Sequence, residues 1–297
     1  MAEGTSHSEE VCLYDDVAVR LHMAAPASFH RKCLQENSHD GTDSTGLRVH
    51  AGAYVAIRFL RCLCGDIETL RGILGNKERL RIVECGSGTG IVGLYGALQH
   101  LWPHIEVDAL LTDGNIEAVQ LIDSNIQAFT SHIQKIRQTC NIQKSVAVRS
   151  QHLIWDNDEQ ICKAISSFGG GSFNIVLGCE LVYYSTCTEA LFAAMLRLLD
   201  RDCGLIIHTH IFRRENVGIE IESFFGERGF VTLEVPLRYL CSEKELESRP
   251  EFHKVRTLVS AAGAVAERLR AAQPSWGEFD GGAEEEQGED YINCINL

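Results

Sequence analysis

The segment RIVECGSGTGIVG at residues 81–93 constrains the fold more than any other part of the sequence. Its glycines at 86, 88 and 90 follow an apolar run that is typical of a buried strand. A turn between a strand and a helix uses glycine for a tight bend and for close approach of a ligand to the backbone. Three alternating glycines exceed the needs of a plain turn, so the segment predicts a cofactor that carries a nucleotide.

Two glycine patterns overlap in this loop. Read from Gly86 the loop is G-x-G-x-G, and read from Gly88 it is G-x-G-x-x-G, the pattern of dinucleotide sites. Asp113, in LLTDGN, ends the next predicted strand, where such folds place a carboxylate that binds ribose hydroxyls. Because NAD and S-adenosyl-L-methionine both contain that ribose, neither feature separates the two cofactors.

Glu84, just before the glycines, does favour one of them. A buried carboxylate is repelled by a pyrophosphate but attracted by an ammonium group. Glu84 therefore favours the amino-acid-bearing cofactor, S-adenosyl-L-methionine, unless it is a solvated acid at the strand end.

The apolar segments beyond the loop predict an α/β fold. Nearly continuous apolar strands alternate with amphipathic helices, which is typical of a mostly parallel sheet with helices on both faces. We expect a doubly wound, Rossmann-like sheet of seven strands. The predicted strands are LRIVEC (80–85), VDALLTD (107–113), SVAVRSQHL (145–153), FNIVLGC (173–179), CGLIIHTHI (203–211), FVTLEVP (230–236) and a last, antiparallel KVRTLVSAA (254–262).

This pattern predicts one domain with two appendages. Residues 1–46 form an N-terminal arm with weak periodicity and at most one short strand or helix, and residues 47–262 form the domain itself. Residues 263–297 provide a C-terminal helix and an acidic tail, which we expect to be disordered.

Charge and cysteine content narrow the function classes. The formal net charge is −14, and seven acids lie in residues 278–290. There is no stripe of Lys and Arg, which disfavours nucleic acid and favours a basic protein segment as partner.

The 12 cysteines form no C-x-x-C pair, so we expect them to be reduced and mostly buried, with no metal site. We expect the protein to be in the cytoplasm and also in the nucleus, because no signal peptide or membrane-spanning run is present. We also expect a monomer.

Two further segments follow predicted strands at the same edge of the sheet. LIWDND offers Trp155 as a wall for an adenine and Asp156 for polar contacts with that base, although a lone Trp more often packs in a core. CELVYY places Glu180 and Tyr183 where substrate chemistry would occur.

Together, VECGSGTGIVGL, LLTDGN, IWDND and LGCELVYY resemble in order and spacing the seven-strand class I S-adenosylmethionine-dependent methyltransferases. More narrowly, the chain is similar to the protein-lysine methyltransferases that include the calmodulin-lysine and elongation-factor-2-lysine enzymes. The resemblance covers about residues 44–236. It implies S-adenosyl-L-methionine as cofactor and a protein with an accessible lysine as substrate, with neither nucleic acid nor membrane as a partner.

The resemblance also implies roles for individual residues. Glu180 and Tyr183 match an acid-x-x-Tyr signature that holds the substrate lysine, and we treat them as catalytic. The residues expected around the cofactor are Glu84, Gly86, Gly88, Gly90, Asp113, Gly114, Asn115, Trp155, Asp156, Cys179 and His50.

Two departures from the family pattern concern the site. The family usually has Asp where this chain has Glu180, which is one methylene longer. It also has a Trp before the helix where this chain has His50, in TGLRVHAGAYVAIRFL. These departures keep a non-catalytic adaptor of the same fold as an alternative. A nicotinamide-dependent oxidoreductase and a methyltransferase for histidine, a terminal amine or a small molecule are the others.

His208 and His210 alternate along LIIHTHIF and face the same side of a strand. No third ligand can be assigned to them, so we expect them to line the substrate channel rather than to bind a metal.

Overall fold

The computed structural model describes residues 49–140, 142–182, 187–212 and 216–280 in full, and residues 6–14 and 17–24 by their backbone. Within these ranges, two strands form an antiparallel hairpin and eight form the main sheet. The strands are β1 Ser6–Tyr14, β2 Val17–Ala24, β3 Arg79–Cys85, β4 Glu106–Asp113, β5 Val146–His152, β6 Ile175–Cys179, β7 Leu205–Ile211, β8 Phe230–Val235, β9 Val255–Ala262 and β10 Gly277–Glu278.

Nine helices and three short 3₁₀ helices, Ser167–Gly169, Leu237–Tyr239 and Pro250–Lys254, accompany these strands in the described ranges; only the nine are numbered. The third begins as a π-helix directly after the glycine loop and ends in one α-helical turn. The helices are α1 Ala51–Gly65, α2 Ile67–Leu74, α3 Val92–Leu98 with Gln99–Leu101, α4 Ile116–Cys140, α5 Asp158–Ser166, α6 Thr188–Leu198, α7 Val217–Gly226, α8 Glu243–Ser248 and α9 Gly263–Ala272.

The main sheet has the order β10-β8-β9-β7-β6-β3-β4-β5. Strands β3 to β8 run in one direction, while β9 and β10 are antiparallel to their neighbours. The predicted doubly wound, mostly parallel sheet is confirmed, but the predicted number of seven strands is wrong. The eighth strand, β10, has two residues, which is too short to give a periodic signal, and it lies where the sequence predicted the acidic tail.

The strand order reverses beside β3, which is the point where this fold class forms its ligand crevice. β4 and β5 lie on one side of β3, and β6 and β7 lie on the other. The connections after β3, β4, β5 and β6 therefore meet at one edge of the sheet, and these connections contain the residues that the sequence predicted to be functional.

The core fills both faces of the sheet, as a parallel sheet requires. On one face, α1, α2, α3, α4 and α9 bury a large apolar cluster that includes Phe59, Trp102 and Phe129. On the other face, α5, α6 and α7 bury a smaller cluster that includes Phe192 and Phe225. The sheet is therefore packed on both sides by apolar side chains.

Three short helices, α2, α5 and α8, were not predicted from the sequence, because six to nine residues show little periodicity. Each begins at a side-chain cap. Asp66 accepts a hydrogen bond from the Thr69 N–H at 3.1 Å, and Asn157 accepts one from the Gln160 N–H at 3.0 Å. Ser242 starts α8 in a capping box. Capping residues were the signal that could have found these helices.

The N-terminal arm also differs from its prediction, because it contains the β1–β2 hairpin rather than at most one short element. None of the helices in the described ranges is both long enough and apolar enough to cross a bilayer.

Candidate functional site

The glycine loop follows β3 and has the backbone that its sequence predicts. Gly86, Gly88 and Gly90 have φ values of 58°, 55° and 76°, a left-handed region that side chains disfavour. At Gly86 there is also no room for a side chain, because an added Cβ would collide with Leu181, which follows β6. The loop is therefore held between the end of β3 and Leu181 after β6, a neighbouring strand in the sheet.

Asp113 links this loop to the end of β4. One oxygen of its carboxylate accepts a hydrogen bond from the Gly88 N–H at 2.9 Å, and the other accepts one from the Asn115 N–H at 2.8 Å. The residue is half-buried. The sequence predicted the acid and the loop as separate contacts of one cofactor, and the structure brings them into direct contact.

A second set of bonds between β3 and β4 was not predicted. The Ser87 N–H donates to the Thr112 carbonyl at 2.7 Å, and the Thr112 N–H donates to the Ser87 hydroxyl at 3.0 Å. The Thr112 hydroxyl in turn donates to the Glu84 carbonyl at 2.8 Å. All three residues are buried, so these bonds hold the glycine loop in place without contact with solvent.

Glu84 lies beneath the loop, with 1% of its surface exposed. Its carboxylate accepts a hydrogen bond from the Gly93 N–H in the first turn of α3 at 3.1 Å. Burial raises the pKa of Glu84 to about 8, and this effect outweighs the hydrogen bonds from Gly93 and Ser87, which lower the pKa. A cation near this carboxyl group would favour its charged form. The predicted contact with a cofactor ammonium group stays a prediction.

The start of α3 is fitted closely to the loop. An added Cβ at Gly93 would lie 2.7 Å from the Glu84 carboxylate and 2.6 Å from the Leu111 side chain. From the opposite side, the Asn125 amide of α4 donates to the Thr89 carbonyl at 2.9 Å. π-helical turns such as this one are frequent at functional sites.

The predicted adenine side of the site lies at the ends of β4 and β5. Gly114 and Asn115 follow Asp113, and the Gly114 carbonyl is hydrogen-bonded to His152 Nε2 at 2.9 Å. Trp155 lies in the turn after β5, half-buried against the cluster of α5, α6 and α7, while Asp156 is exposed. Trp155 therefore packs on the core and also retains an accessible surface.

Two exposed isoleucines were missed beside these residues. Ile116 begins α4, three residues after Asp113, and Ile154 directly precedes Trp155. Single exposed apolar side chains are common on protein surfaces, so the two isoleucines are of interest here only because they lie next to the predicted adenine residues. Exposure itself cannot be read from sequence, and both residues looked like the apolar members of ordinary elements.

Glu180 and Cys179 lie at the end of β6, next to the glycine loop. Cys179 is the last residue of β6 and is half-buried. The Glu180 N–H donates to the Thr209 carbonyl of β7 at 2.8 Å, and its φ of 55° turns the chain sharply. Both oxygens of its carboxylate are buried, and its side chain lies against Gly52 in the first turn of α1. Tyr183 lies outside the described residues.

His50 directly precedes α1 and has extended backbone. Its carbonyl accepts a hydrogen bond from the Ala53 N–H at 3.0 Å, and the residue is half-buried. His50 is therefore at the N-terminus of the helix that contacts Glu180, which places the two departures from the family pattern on neighbouring elements.

The expectation that His208 and His210 line a channel is wrong. Both side chains are fully buried, and His208 Nδ1 lies 3.0 Å from His210 Nε2 in a direct hydrogen bond. His208 also contacts the rings of Phe192 and Phe225, and burial lowers its pKa to about 3. The sequence indicated correctly that the two face the same side, but the helices that cover that side exclude substrate.

The cysteines are also less buried than expected. Among those whose side chains the structure describes, Cys64, Cys85 and Cys241 are buried, whereas Cys62, Cys140, Cys162 and Cys187 are exposed. All of these are free thiols, and within the described ranges no group of three or more His, Cys, Asp and Glu side chains could hold a metal ion.

A family model described as lysine methyltransferase matches residues 30–225, which is about two thirds of the 297 residues. The chain belongs to the lysine methyltransferase family. The protein is thus an S-adenosyl-L-methionine-dependent methyltransferase, and the nicotinamide alternative for the glycine loop is set aside.

Solved structures of other methyltransferases are similar to the chain at low identity. Precorrin-6y C5,15-methyltransferase from Geobacter metallireducens is 15% identical, with a TM-score of 0.39 over 67% of this chain and 87% of that one. The rRNA methyltransferase AviRa from Streptomyces viridochromogenes is 10% identical, with a TM-score of 0.43 over 77% of this chain and 93% of that one. Coclaurine N-methyltransferase bound to N-methylheliamine and SAH is 14% identical, with a TM-score of 0.30 over 58% of this chain and 38% of that one.

The residues of the site fit this cofactor. A carboxylate can accept about four hydrogen bonds, so the two backbone bonds to Asp113 are compatible with additional bonds from ribose hydroxyls. The loop has glycine at three alternating positions with positive φ, and the lack of side chains there allows a ligand to approach the backbone closely. The assignment of individual residues to the methionine, ribose and adenine parts is a proposal.

Proposed function

We propose that this protein transfers a methyl group from S-adenosyl-L-methionine to the side-chain nitrogen of a lysine in a protein substrate. The observation that carries the proposal is the position of an acidic side chain directly beside the glycine loop. Glu180 follows β6, which pairs with β3, and the next residue, Leu181, packs on Gly86. A carboxylate at this position can attract a cationic substrate group to the end of the site where the cofactor reacts.

The chemistry explains why such a residue would be useful. S-adenosyl-L-methionine supplies a methyl group on a cationic sulfonium, and the lysine nitrogen must attack that group as a neutral amine. Lysine has an unperturbed pKa near 10.4, so roughly one amine in two thousand is neutral at pH 7. The protein therefore has to bind the ammonium form, which is abundant, and then favour its deprotonation.

In this proposal Glu180 attracts and orients the ammonium group through its charge, from its buried position against α1, and does not act as a dedicated base. Its negative charge stabilises the protonated lysine, whereas partial burial of the amine next to a cation lowers the lysine pKa. Alignment of nitrogen and methyl group by the surrounding rigid elements can contribute about 7–11 kcal/mol in favourable cases. Tyr183, which lies outside the described residues, is proposed to complete the lysine channel.

The segment between β8 and β9 is proposed to frame the entrance for the substrate. Because β8 is parallel to β7, this segment lies at the same edge of the sheet as the end of β6. Its exposed acids, Glu243, Glu247 and Glu251, are balanced by the exposed bases Lys244, Arg249 and Lys254, so its position and not its charge is what relates it to the substrate. Contacts of Arg58 in α1 with Glu245 and, at 3.3 Å, with the Cys241 sulfur hold the segment against the helix next to Glu180.

The experiment is transfer of labelled methyl groups from S-adenosyl-L-methionine into a cell lysate, which is then separated into protein, nucleic acid and small molecules. We expect label in protein with the wild-type enzyme and at least tenfold less with Glu180→Gln, because the variant lacks the charge that attracts the ammonium group. Glu222→Gln, at an exposed position on α7, is the matched control and should label protein normally. Label mainly in nucleic acid or small molecules would overturn the proposal.

A further inference from the structure

The side chain of Glu180 occupies the space that a side chain at position 52 would need. An ideal Cβ added to Gly52 would lie 2.7 Å from both Cγ and Cδ of Glu180, and closer still to Oε1. Carbon atoms in contact are ordinarily about 3.5–4.0 Å apart. Because Cγ is involved as well as the carboxylate, rotation of the carboxylate alone would not relieve the collision.

Glu180 has little freedom to retreat from Gly52. Its backbone is fixed by the hydrogen bond to Thr209 and by the packing of Leu181 on Gly86. Its left-handed φ of 55° is uncommon for a residue with a side chain. Any displacement of Glu180 would therefore also disturb the segment that leads to Tyr183 or the glycine loop.

The helix on the other side is fixed as well. Ala53, Val55 and Ala56 follow Gly52 in α1 and are buried in the larger apolar cluster. A shift of the first turn of α1 by the required distance would pull these side chains out of a close-packed core. The Glu180 side chain can therefore lie against the first turn of α1 only because residue 52 is a glycine.

The position of the carboxylate is also electrostatically favourable. α1 has no acidic residue in its first turn, and His50 provides no side-chain cap. The N-terminus of a helix carries a partial positive charge, which stabilises a negative group nearby. Glu180 supplies that negative group from another part of the chain. The position of the carboxylate is therefore favoured by its charge as well as by the steric contact with Gly52.

We propose that Gly52 is a positioning residue for methyl transfer, which places the longer side chain of Glu180 in its working orientation. This inference rests on the proposed role of Glu180 in attracting and orienting the substrate lysine. It also accounts for Glu at this position instead of the Asp that the family resemblance leads one to expect. The extra methylene of Glu180 is accommodated because residue 52 has no side chain.

A double-mutant cycle on thermal unfolding tests the contact and needs no substrate. Gly52→Ala should lower the melting temperature by several degrees in the presence of Glu180, and it should have little effect in combination with Glu180→Ala, which removes Cγ, Cδ and the carboxylate. Gly65→Ala, at the other end of α1 with no atom within 4 Å of the added Cβ, is the matched control. Equal effects of Gly52→Ala in both backgrounds would overturn the contact.

The positioning role is tested by labelled methyl transfer to lysate protein at saturating S-adenosyl-L-methionine. Gly52→Ala should reduce the rate at least tenfold while calorimetry shows cofactor affinity within twofold of wild type, and Gly52→Ala with Glu180→Asp should regain part of the rate. A normal rate for Gly52→Ala, or a loss that the shorter acid does not relieve, would overturn the role. If the wild-type enzyme transfers no label to lysate protein, the proposed function fails. The unfolding cycle still decides whether the contact between Gly52 and Glu180 exists.

Discussion

The Asp113 carboxylate accepts a hydrogen bond from the backbone N–H of Gly88 at 2.9 Å. This bond connects the acid that is proposed to bind the ribose with the glycine loop, so the two features form one unit. A substitution at Asp113 should therefore affect both the shape of the loop and the binding of the cofactor.

We expect Asp113→Asn to weaken binding of S-adenosylhomocysteine roughly tenfold to a hundredfold, as measured by calorimetry. Hydrogen bonds to charged groups contribute about 1.5–3 kcal/mol each, and the neutral amide loses that charge assistance. Asp202→Asn, in an exposed turn far from the glycine loop along the chain, serves as the matched control and should bind normally. Unchanged affinity of the Asp113 variant would show that the cofactor does not use this acid.

Gly86→Ala should destabilise the protein by about 1–3 kcal/mol in urea unfolding. It combines a strained positive φ with a collision between the new methyl group and Leu181. Gly229→Ala separates the two effects, because Gly229 also has positive φ, 77°, but no atom lies within 4 Å of its added Cβ. The Gly86 variant should be clearly less stable than the Gly229 variant, and equal losses would contradict the packing of Leu181 on the loop.

Glu84 should make the free protein less stable as the pH rises. Its folded-state pKa of about 8 lies above the ordinary 4.5, so its contribution is fully present below pH 4.5 and is lost as the pH approaches 8. The slope is at most about 1.4 kcal/mol per pH unit. Urea unfolding at several pH values between 5 and 8 should show this decline for wild type and not for Glu84→Gln. Parallel pH profiles would contradict the burial of a neutral Glu84.

His208 should make the protein less stable as the pH falls, which is the opposite of the effect of Glu84. Its folded-state pKa of about 3 lies below the ordinary 6.5, so its contribution is present above pH 6.5 and is lost as the pH falls toward 3. Between pH 6.5 and 5, wild type should lose up to about 2 kcal/mol more stability than His208→Gln, which does not titrate. An equal loss in both proteins would mean that His208 is already protonated or accessible in the folded state.

The sequence predicted most of the fold because its signals are local. The strands β3, β4, β6 and β7 are short apolar runs that end near polar or glycine residues, and their observed bounds differ from the predicted ones by at most two residues. β10 and the helices α2, α5 and α8 were missed because they are too short for a hydrophobic period to develop. Their formation depends on caps and on pairing with partners far away in the chain.

For the site, the sequence indicated which residue types matter but not how they contact one another. Gly88 and Asp113 were both predicted, and each could be found from its own motif. The contacts of Gly52 with Glu180 and of Gly86 with Leu181 join residues that are distant in the sequence and depend on the packing of whole elements. His208 and His210 show the reverse case, since a polar pair on one face of a strand proved to be covered by α6 and α7.

The most direct test of the account is the identity of the methylated atom. Protein labelled by this enzyme with S-adenosyl-L-methionine would be hydrolysed completely, and the labelled amino acid would be identified by chromatography and mass spectrometry. The account predicts N-methylated lysine, with much less label from Glu180→Gln. Label in methylhistidine, in methylated arginine or at a terminal amine would contradict the assignment of Glu180 to a lysine site.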